Sequence, residues 1–146
     1  TSGNPFTREE PFFSKFNELM KVTDLFMLDI KQIDDEKHKK LTGWTNSNIL
    51  DLAQYLSDNG KAVWIRHVLV PGITTDDADL EKLRDFVGSL MTVERFEILP
   101  YHTLGVFKWE NLGIPYELGD VMPPTKEEIA HDEEILHTAD YTDYAK

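Results

Sequence analysis

The sequence predicts an α/β fold in which parallel strands alternate with helices that lie outside them. Three short, nearly unbroken apolar runs are typical of buried strands, and helical spacing fills the stretches between them. The ends of the runs, marked by Asp29, Arg66 and His102, lie 37 and 36 residues apart, close to one βα repeat. This alternation favours right-handed βα units and a parallel sheet.

The first part of the chain predicts a helix, a strand and a second helix. Pro11 suits a first helical turn, and apolar residues with helical spacing follow it: Phe12, Phe16, Leu19 and Met20. The first apolar run, residues 25–30, is the strand. Next, Asn46 or Ser47 can cap a helix that ends at residues 59–60. Its apolar face comprises Ile49, Ala53 and Leu56.

The second part predicts a strand, a helix, a strand, a loop and a helix. The run 63–70 is rich in β-branched and aromatic residues, as in strands buried on both faces. A helix opened by Thr75 follows, with an apolar face of Leu80, Leu83, Val87 and Leu90. The third strand is the run 96–99. Residues 102–124 lack periodicity and predict a long ordered loop, and a capping box over residues 125–128 begins an acidic helix.

Length and composition restrict the classes of protein that remain. The 146 residues suit one domain, whereas a closed eight-stranded barrel needs about 250 residues. Residues 1–5 resemble the end of a strand and its turn, so we expect a fragment that lacks earlier βα units and leaves a sheet edge exposed. The net charge of −12 argues against nucleic acid or an anionic membrane as partner. No apolar run suits a membrane span and no leader is apparent, so we expect a cytoplasmic location.

Four charged or ionisable side chains lie where the strands end. Asp29 and Lys31 share a face of the first strand because strand side chains alternate, Arg66 lies in the second strand, and His102 follows the third. The carboxyl ends of parallel strands form the ligand site in such folds. Lys31 and Arg66 suit a carboxylate or phosphate, Asp29 suits a ribose diol or an ammonium group, and His102 suits a base or hydroxyl. The structural alternatives are a solvated strand end and an Asp29–Arg66 ion pair.

Other side-chain groups give weaker signals. Glu127 and His131 lie four residues apart, as metal ligands do, but in a densely acidic and solvated helix, so we expect no metal site. His38 belongs to a charged surface turn or helix. Four aromatic residues in and beside the long loop favour packing of that loop over a groove for a partner: Tyr101, Phe107, Trp109 and Tyr116.

Five segments resemble, in order and spacing, the C-terminal part of the pyruvate formate-lyase activating enzymes of the radical S-adenosylmethionine superfamily. They are residues 27–31 (Met-Leu-Asp-Ile-Lys), 63–72, 99–105, 108–109 and 113–116. The stretch Leu-Pro-Tyr-His followed by Lys-Trp is specific to the glycyl-radical activases. The resemblance runs from residue 1 to about residue 124.

The resemblance implies the C-terminal half of a partial (β/α)6 TIM-like barrel, with parallel strands and outer helices. It implies reductive cleavage of S-adenosylmethionine by a 4Fe-4S cluster, with an electron donor such as flavodoxin or ferredoxin, and hydrogen abstraction from a glycine of pyruvate formate-lyase. The positions that match residues around S-adenosylmethionine are Asp29, Lys31, Arg66, Val68 and His102. No catalytic residue is carried over to this chain.

One departure from the family is severe. Its cluster loop, Cys-x-x-x-Cys-x-x-Cys, lies near the N-terminus, and this chain contains no cysteine. Without thiolates the chain cannot hold an iron–sulfur cluster. We therefore expect residues 1–146 alone to be inactive and to bind S-adenosylmethionine weakly, as the C-terminal fragment of a radical S-adenosylmethionine barrel domain.

Three alternatives remain open from the sequence. The chain can belong to the activase of another glycyl-radical enzyme. It can be a barrel aldolase that forms a Schiff base on Lys31, since desolvation and the charge of Arg66 favour the neutral amine that this chemistry needs. It can also be a non-catalytic domain that binds a partner through the aromatic loop between Tyr101 and Tyr116.

Overall fold

A computed structural model describes residues 1–142 and contains a three-stranded parallel sheet of order β1-β2-β3. The strands are β1 (Leu25–Asp29), β2 (Ala62–Leu69) and β3 (Val93–Pro100). The register pairs Asp29 with Arg66, and Arg66 with Glu97. The predicted order and parallel direction of the three strands are confirmed.

Six α-helices and one 3₁₀ helix accompany the three strands within residues 1–142. They are α1 (Phe12–Lys21), α2 (Asp35–Thr42), α3 (Ser47–Asp58), α4 (Asp77–Gly88), α5 (Val106–Leu112), α6 (Lys126–Leu136) and the 3₁₀ helix Thr138–Asp140. Helix α5 lies in the stretch predicted as a loop. It has only seven residues and none of them is buried, so sequence periodicity does not identify it. None of the helices within residues 1–142 is long and apolar enough to cross a membrane.

The helix starts follow capping chemistry, with two differences from expectation. The predicted capping box of α6 is present, with the Thr125 side chain accepting from the Glu128 amide. Helix α4 is capped by Asp76 rather than opened by Thr75. Asn46 stands at the start of α3, but its side chain donates to the carbonyls of Gln32 and Ile33 instead of capping the helix.

The helices cover only one face of the sheet. The strand residues of one parity join the helices in a single apolar core: Phe26, Leu28, Val63, Ile65, Leu69, Phe96 and Ile98. Residues of the other parity are partly exposed, including Met27 at 37%. The expectation that the strands are buried on both faces is therefore wrong, because the described helices pack against a single side of the sheet.

The first residue of the chain lies along the outer edge of β1. The amino group of Thr1 donates to the Met27 carbonyl at 2.7 Å, and the Asp29 amide donates to the Thr1 carbonyl at 3.0 Å. Thr1 thus bonds to Met27 and Asp29, the residues on either side of Leu28, as a residue in a parallel strand does. Residue 1 therefore occupies a strand position beside β1, as expected for the end of a strand.

The one-sided core predicts unequal effects of truncation on the two faces of the sheet. Ile65 is fully buried beneath the helices, so Ile65→Ala should lower the free energy of unfolding by about 2–5 kcal/mol. Met27→Ala, on the uncovered face, should cost less than about 1 kcal/mol. Urea unfolding of the two variants measures both values, and equal losses would contradict a core confined to one face.

Candidate functional site

Three of the predicted site residues form one charge cluster on the uncovered face. One carboxylate oxygen of Asp29 accepts a hydrogen bond from Arg66 Nε at 2.7 Å and forms an ion pair with Nη2 of the same side chain, also at 2.7 Å. The other accepts from Lys31 Nζ at 3.0 Å. The side chains are 17%, 27% and 35% exposed for Asp29, Arg66 and Lys31, so the cluster is partly buried yet open to solvent.

The strand register produces this cluster. Parallel pairing sets Asp29 directly beside Arg66, and the two-residue period of an extended chain brings Lys31 to the same face. The same period places Val68 on that face, two residues beyond Arg66 towards the carboxyl end of β2. A shift of the pairing by one residue would move these side chains into the core.

The electrostatics of the cluster favour an ionised Asp29. Burial of the carboxylate opposes ionisation, but the hydrogen bonds and charges of Lys31 and Arg66 outweigh burial, and the pKa of Asp29 lies below its ordinary value of 3.8. Two cations and one anion leave the cluster with one net positive charge. The arrangement therefore suits an anionic group such as a carboxylate, with Arg66 or Lys31 as its donor.

Buried polar groups hold the segment that follows β1, and the sequence analysis did not identify them. Gln32 and Lys37 donate to the carboxylate of Asp79, which is 3% exposed, at 3.2 and 2.6 Å. Asn46 donates to the carbonyls of Gln32 and Ile33. These bonds fix the chain immediately after Lys31. The signal in the sequence is weak, because Asp79 looks like one more acid in a helix that is acidic throughout its first turn.

Two histidines are buried and are not part of the charge cluster. His38 was predicted in a surface segment, and that prediction is wrong because His38 is 2% exposed and its Nδ1 lies 2.7 Å from the Trp44 carbonyl. His67 lies on the covered face of β2, opposite Arg66, as the two-residue period predicts.

His102 is not part of the cluster. It follows β3 at the same end of the sheet, but its side chain is exposed and makes no hydrogen bond or ion pair within residues 1–142. The structure therefore joins Asp29, Lys31 and Arg66 in one cluster and leaves His102 outside it. Its proposed contact with a ligand stays a prediction.

The aromatic loop is anchored at its beginning. The Tyr101 side chain is buried, and its hydroxyl lies 2.8 Å from that of Tyr116, a contact that raises the pKa of Tyr101 to about 12. The rings of Trp109 and Tyr116 lie 5.7 Å apart. Phe107 is 55% exposed. Loop packing thus involves three of the four aromatic residues and leaves Phe107 at the surface.

The residues present fit one of the two cofactors that the resemblance implies. The cluster has the charge and the position for a charged nucleoside such as S-adenosylmethionine. The 4Fe-4S cluster does not fit this chain, which has no cysteine. Residues 1–142 also contain no group of three or more His, Asp or Glu side chains arranged to hold a metal, and His131 contacts Asp132 at 3.0 Å instead.

The geometry disfavours the aldolase alternative. A Schiff base needs a lysine amine that is free to attack a carbonyl, but Lys31 Nζ donates to the Asp29 carboxylate at 3.0 Å. Arg66 is paired with the same carboxylate, at 2.7 Å. The cluster is built for binding an ion rather than for nucleophilic attack.

Solved structures identify the fold. A domain of the pyruvate-formate lyase-activating enzyme from Bacteroides vulgatus matches with a TM-score of 0.71 at 21% identity, over 88% of this chain and 71% of that one. A radical SAM methyltransferase from Sphaerobacter thermophilus matches with a TM-score of 0.58 at 17% identity, over 80% of this chain and 31% of that one. The fold is that of the predicted α/β class, with the parallel strands and outer helices of a partial TIM-like barrel.

Sequence relatives define the family. Pyruvate formate-lyase-activating enzymes match at 52% identity over 141 residues in Streptococcus mutans, 59% over 122 in Staphylococcus epidermidis and 48% over 139 in Listeria monocytogenes. These matches cover 97%, 83% and 95% of this chain but 54%, 49% and 56% of the relatives. No protein-family model matches. The chain belongs to the pyruvate formate-lyase-activating enzyme family, spans about half the length of these relatives and corresponds to their C-terminal part.

The lowered pKa of Asp29 predicts a specific acid dependence of stability. Its stabilising contribution is present above the unfolded-chain value of 3.8 and is lost as the pH falls through the lower folded-state pKa. As the pH falls from about 5 to about 2, the free energy of unfolding of the Asp29→Asn variant should therefore decrease less than that of the unchanged chain. Urea unfolding at several pH values in this range measures the slope of the free energy of unfolding against pH.

The matched control is Asp51→Asn, which removes a carboxylate from the exposed pair with Arg8, at 2.7 Å. Its slope should resemble that of the unchanged chain, because surface pairs contribute little to stability. Identical slopes for the Asp29 and Asp51 variants would show that the charge cluster does not stabilise the fold.

Proposed function

We propose that this chain supplies one wall of the S-adenosylmethionine site of a glycyl-radical activase. The observation that carries the proposal is the contact of Asp29 with both Arg66 and Lys31 at the carboxyl ends of adjacent parallel strands. That edge of the sheet is where ligands bind in barrels of this type. The net positive charge of the cluster suits a ligand that carries a carboxylate.

The side chains have different tasks in this proposal. Arg66 and Lys31 attract the anionic end of the ligand, and Asp29 keeps both cations in place while offering an acceptor to a ribose hydroxyl or an ammonium group. Val68 lies on the same face and provides apolar contact beside them. His102, which follows β3 at the same end of the sheet, would contact the ligand from the side of the third strand. Bound S-adenosylmethionine would supply a 5′-deoxyadenosyl radical after reduction by a cluster that other residues must hold.

The names of the relatives support a proposal for the activity of the whole enzyme. We infer that the protein which includes this chain activates pyruvate formate-lyase by abstracting a hydrogen from its glycyl-radical loop, with electrons from a donor such as flavodoxin or ferredoxin. Sequence identity of 48–59% to three activating enzymes supports this reaction over activation of another glycyl-radical enzyme. Residues 1–146 contribute binding to it and no electron transfer.

A chimera tests the proposed function. The N-terminal part of the Streptococcus mutans relative, followed by this chain, should bind S-adenosylmethionine and generate a glycyl radical on pyruvate formate-lyase. Asp29→Asn and Lys31→Ala should each weaken S-adenosylmethionine binding about tenfold or more, because a charged hydrogen-bonding partner is lost. Isothermal titration calorimetry and electron paramagnetic resonance measure the two effects.

Two controls accompany the chimera. Lys40→Ala removes the same charge from an exposed position of α2 and should leave binding unchanged. The 146-residue chain alone, mixed with S-adenosylmethionine and a strong reductant, should release no methionine above background. Normal binding by both the Asp29 and Lys31 variants would refute the assignment of the site, and turnover by the chain alone would refute the need for other residues.

A second candidate function is recognition of a protein partner. Helix α5 has no buried residue and leaves Phe107, Trp109 and Leu112 at 55%, 42% and 72% exposure. Such an apolar surface is typical of protein interfaces.

Trp109→Ala separates this function from ligand binding. In the chimera it should weaken binding of pyruvate formate-lyase, measured by surface plasmon resonance, and leave S-adenosylmethionine affinity within about twofold, because Trp109 is not part of the charge cluster. Asp29→Asn should show the reverse pattern. Unchanged partner binding in the Trp109 variant would exclude α5 as the docking surface.

A further inference from the structure

His67 lies directly behind the charge cluster, on the covered side of β2. It is 2% exposed, between Arg66 and Val68 in sequence. Because strand side chains alternate, its ring is on the opposite side of the sheet from any ligand bound at Asp29. His67 can therefore influence the cluster only through the main chain that it contacts.

The ring contacts the main chain at the point where Asp29 and Lys31 are joined. Nδ1 of His67 lies 2.8 Å from the carbonyl of Ile30, the residue between them. The Ile30 amide still donates to the Arg66 carbonyl at 3.0 Å, as in the parallel ladder, whereas its carbonyl receives a side-chain donor. The imidazole thus fixes the peptide plane through which the chain leaves the sheet towards Lys31.

The other ring nitrogen faces the loop after β2. Nε2 lies 3.3 Å from the carbonyl of Thr74, whose hydroxyl donates to the Val68 carbonyl at 2.7 Å and accepts from the Val70 amide at 2.8 Å. The ring is therefore held between the end of β1 and a loop that is itself bonded to the end of β2. Both segments border the charge cluster.

The shorter contact identifies the donor nitrogen. Burial lowers the pKa of His67, and the positive charge of Lys31 acts in the same direction, so the neutral ring is favoured. The carbonyls of Ile30 and Thr74 and the carboxylate of Asp132 act in the opposite direction. A neutral imidazole has one N–H. With one proton, the 2.8 Å contact to Ile30 is the hydrogen bond, so Nδ1 carries the hydrogen.

We propose that His67 is a positioning residue, whose Nδ1 hydrogen bond to the Ile30 carbonyl sets the relative placement of Asp29 and Lys31 for ligand binding. This inference rests on the proposed S-adenosylmethionine site, because it assigns His67 a role in that site. His67 does not touch the ligand. It acts on the main chain between Asp29 and Lys31, the two residues proposed to contact the ligand.

Two substitutions separate the hydrogen bond from simple packing. His67→Asn keeps a donor close to the position of Nδ1, whereas His67→Leu fills the space without any donor. In the chimera, His67→Leu should weaken S-adenosylmethionine binding about tenfold, and His67→Asn should restore it to within about twofold. His38→Leu is the control, since it removes another buried histidine, whose carbonyl partner, Trp44, is not bonded to any residue of the charge cluster.

Measurements on the 146-residue chain test His67 without the ligand. Imidazole ¹⁵N NMR should show the neutral tautomer with hydrogen on Nδ1, and a hydrogen on Nε2 would overturn the proposal. Amide exchange at Ile30 should be about tenfold faster in His67→Leu than in the unchanged chain and in His67→Asn. Equal exchange in both variants would also overturn it.

The two sets of measurements distinguish failure of the proposed S-adenosylmethionine site from failure of the positioning role of His67. A chimera that does not bind S-adenosylmethionine would refute the proposed function, while NMR and amide exchange would still decide whether His67 holds Ile30. Binding that is equally weak in His67→Leu and His67→Asn would show a packing effect and overturn the positioning role. Should His67→Leu fail to fold, the tautomer and the affinity of His67→Asn decide.

Discussion

The carboxylate of Asp29, shared by Arg66 and Lys31, is the interaction on which the candidate site depends. An arginine in the middle of an apolar strand would cost several kcal/mol without a partner. Asp29 supplies that partner from the neighbouring strand at 2.7 Å, and the parallel register of β1 and β2 is what sets the two residues side by side. The register is therefore required for the ion pair and for the binding role proposed for it.

The alternation of side chains gives the sheet two unlike faces. On one face Leu28, Ile65 and Phe96 pack beneath the helices and form the core. On the other face the same strands carry Asp29 and Arg66, whose side chains are partly buried. Because each strand contributes to both faces, the apolar contacts that hold the strands in register also hold the charges in place. In barrel folds the carboxyl ends of the strands form the face at which ligands bind, and Asp29 and Arg66 lie towards that end.

Local patterns were sufficient for much of this description. Short apolar runs identified the strands, the Thr125–Glu128 pair identified the start of α6, and the two-residue period placed Asp29, Lys31 and Arg66 on one face. These features depend on neighbours in sequence or on a period that extended chains share. The resemblance to the activase family, confirmed by relatives at up to 59% identity, added the expected cofactor and Val68.

The sequence by itself determined the order of strands and helices, the identity of the charged residues and the absence of cysteine. Tertiary structure decided which face of the sheet is covered, that His38 is buried, that His102 stands apart from the cluster, and that His67 bonds to Ile30. The physical reason is distance along the chain. His67 and Ile30 are 37 residues apart, and such contacts depend on how whole elements pack, which no local pattern encodes.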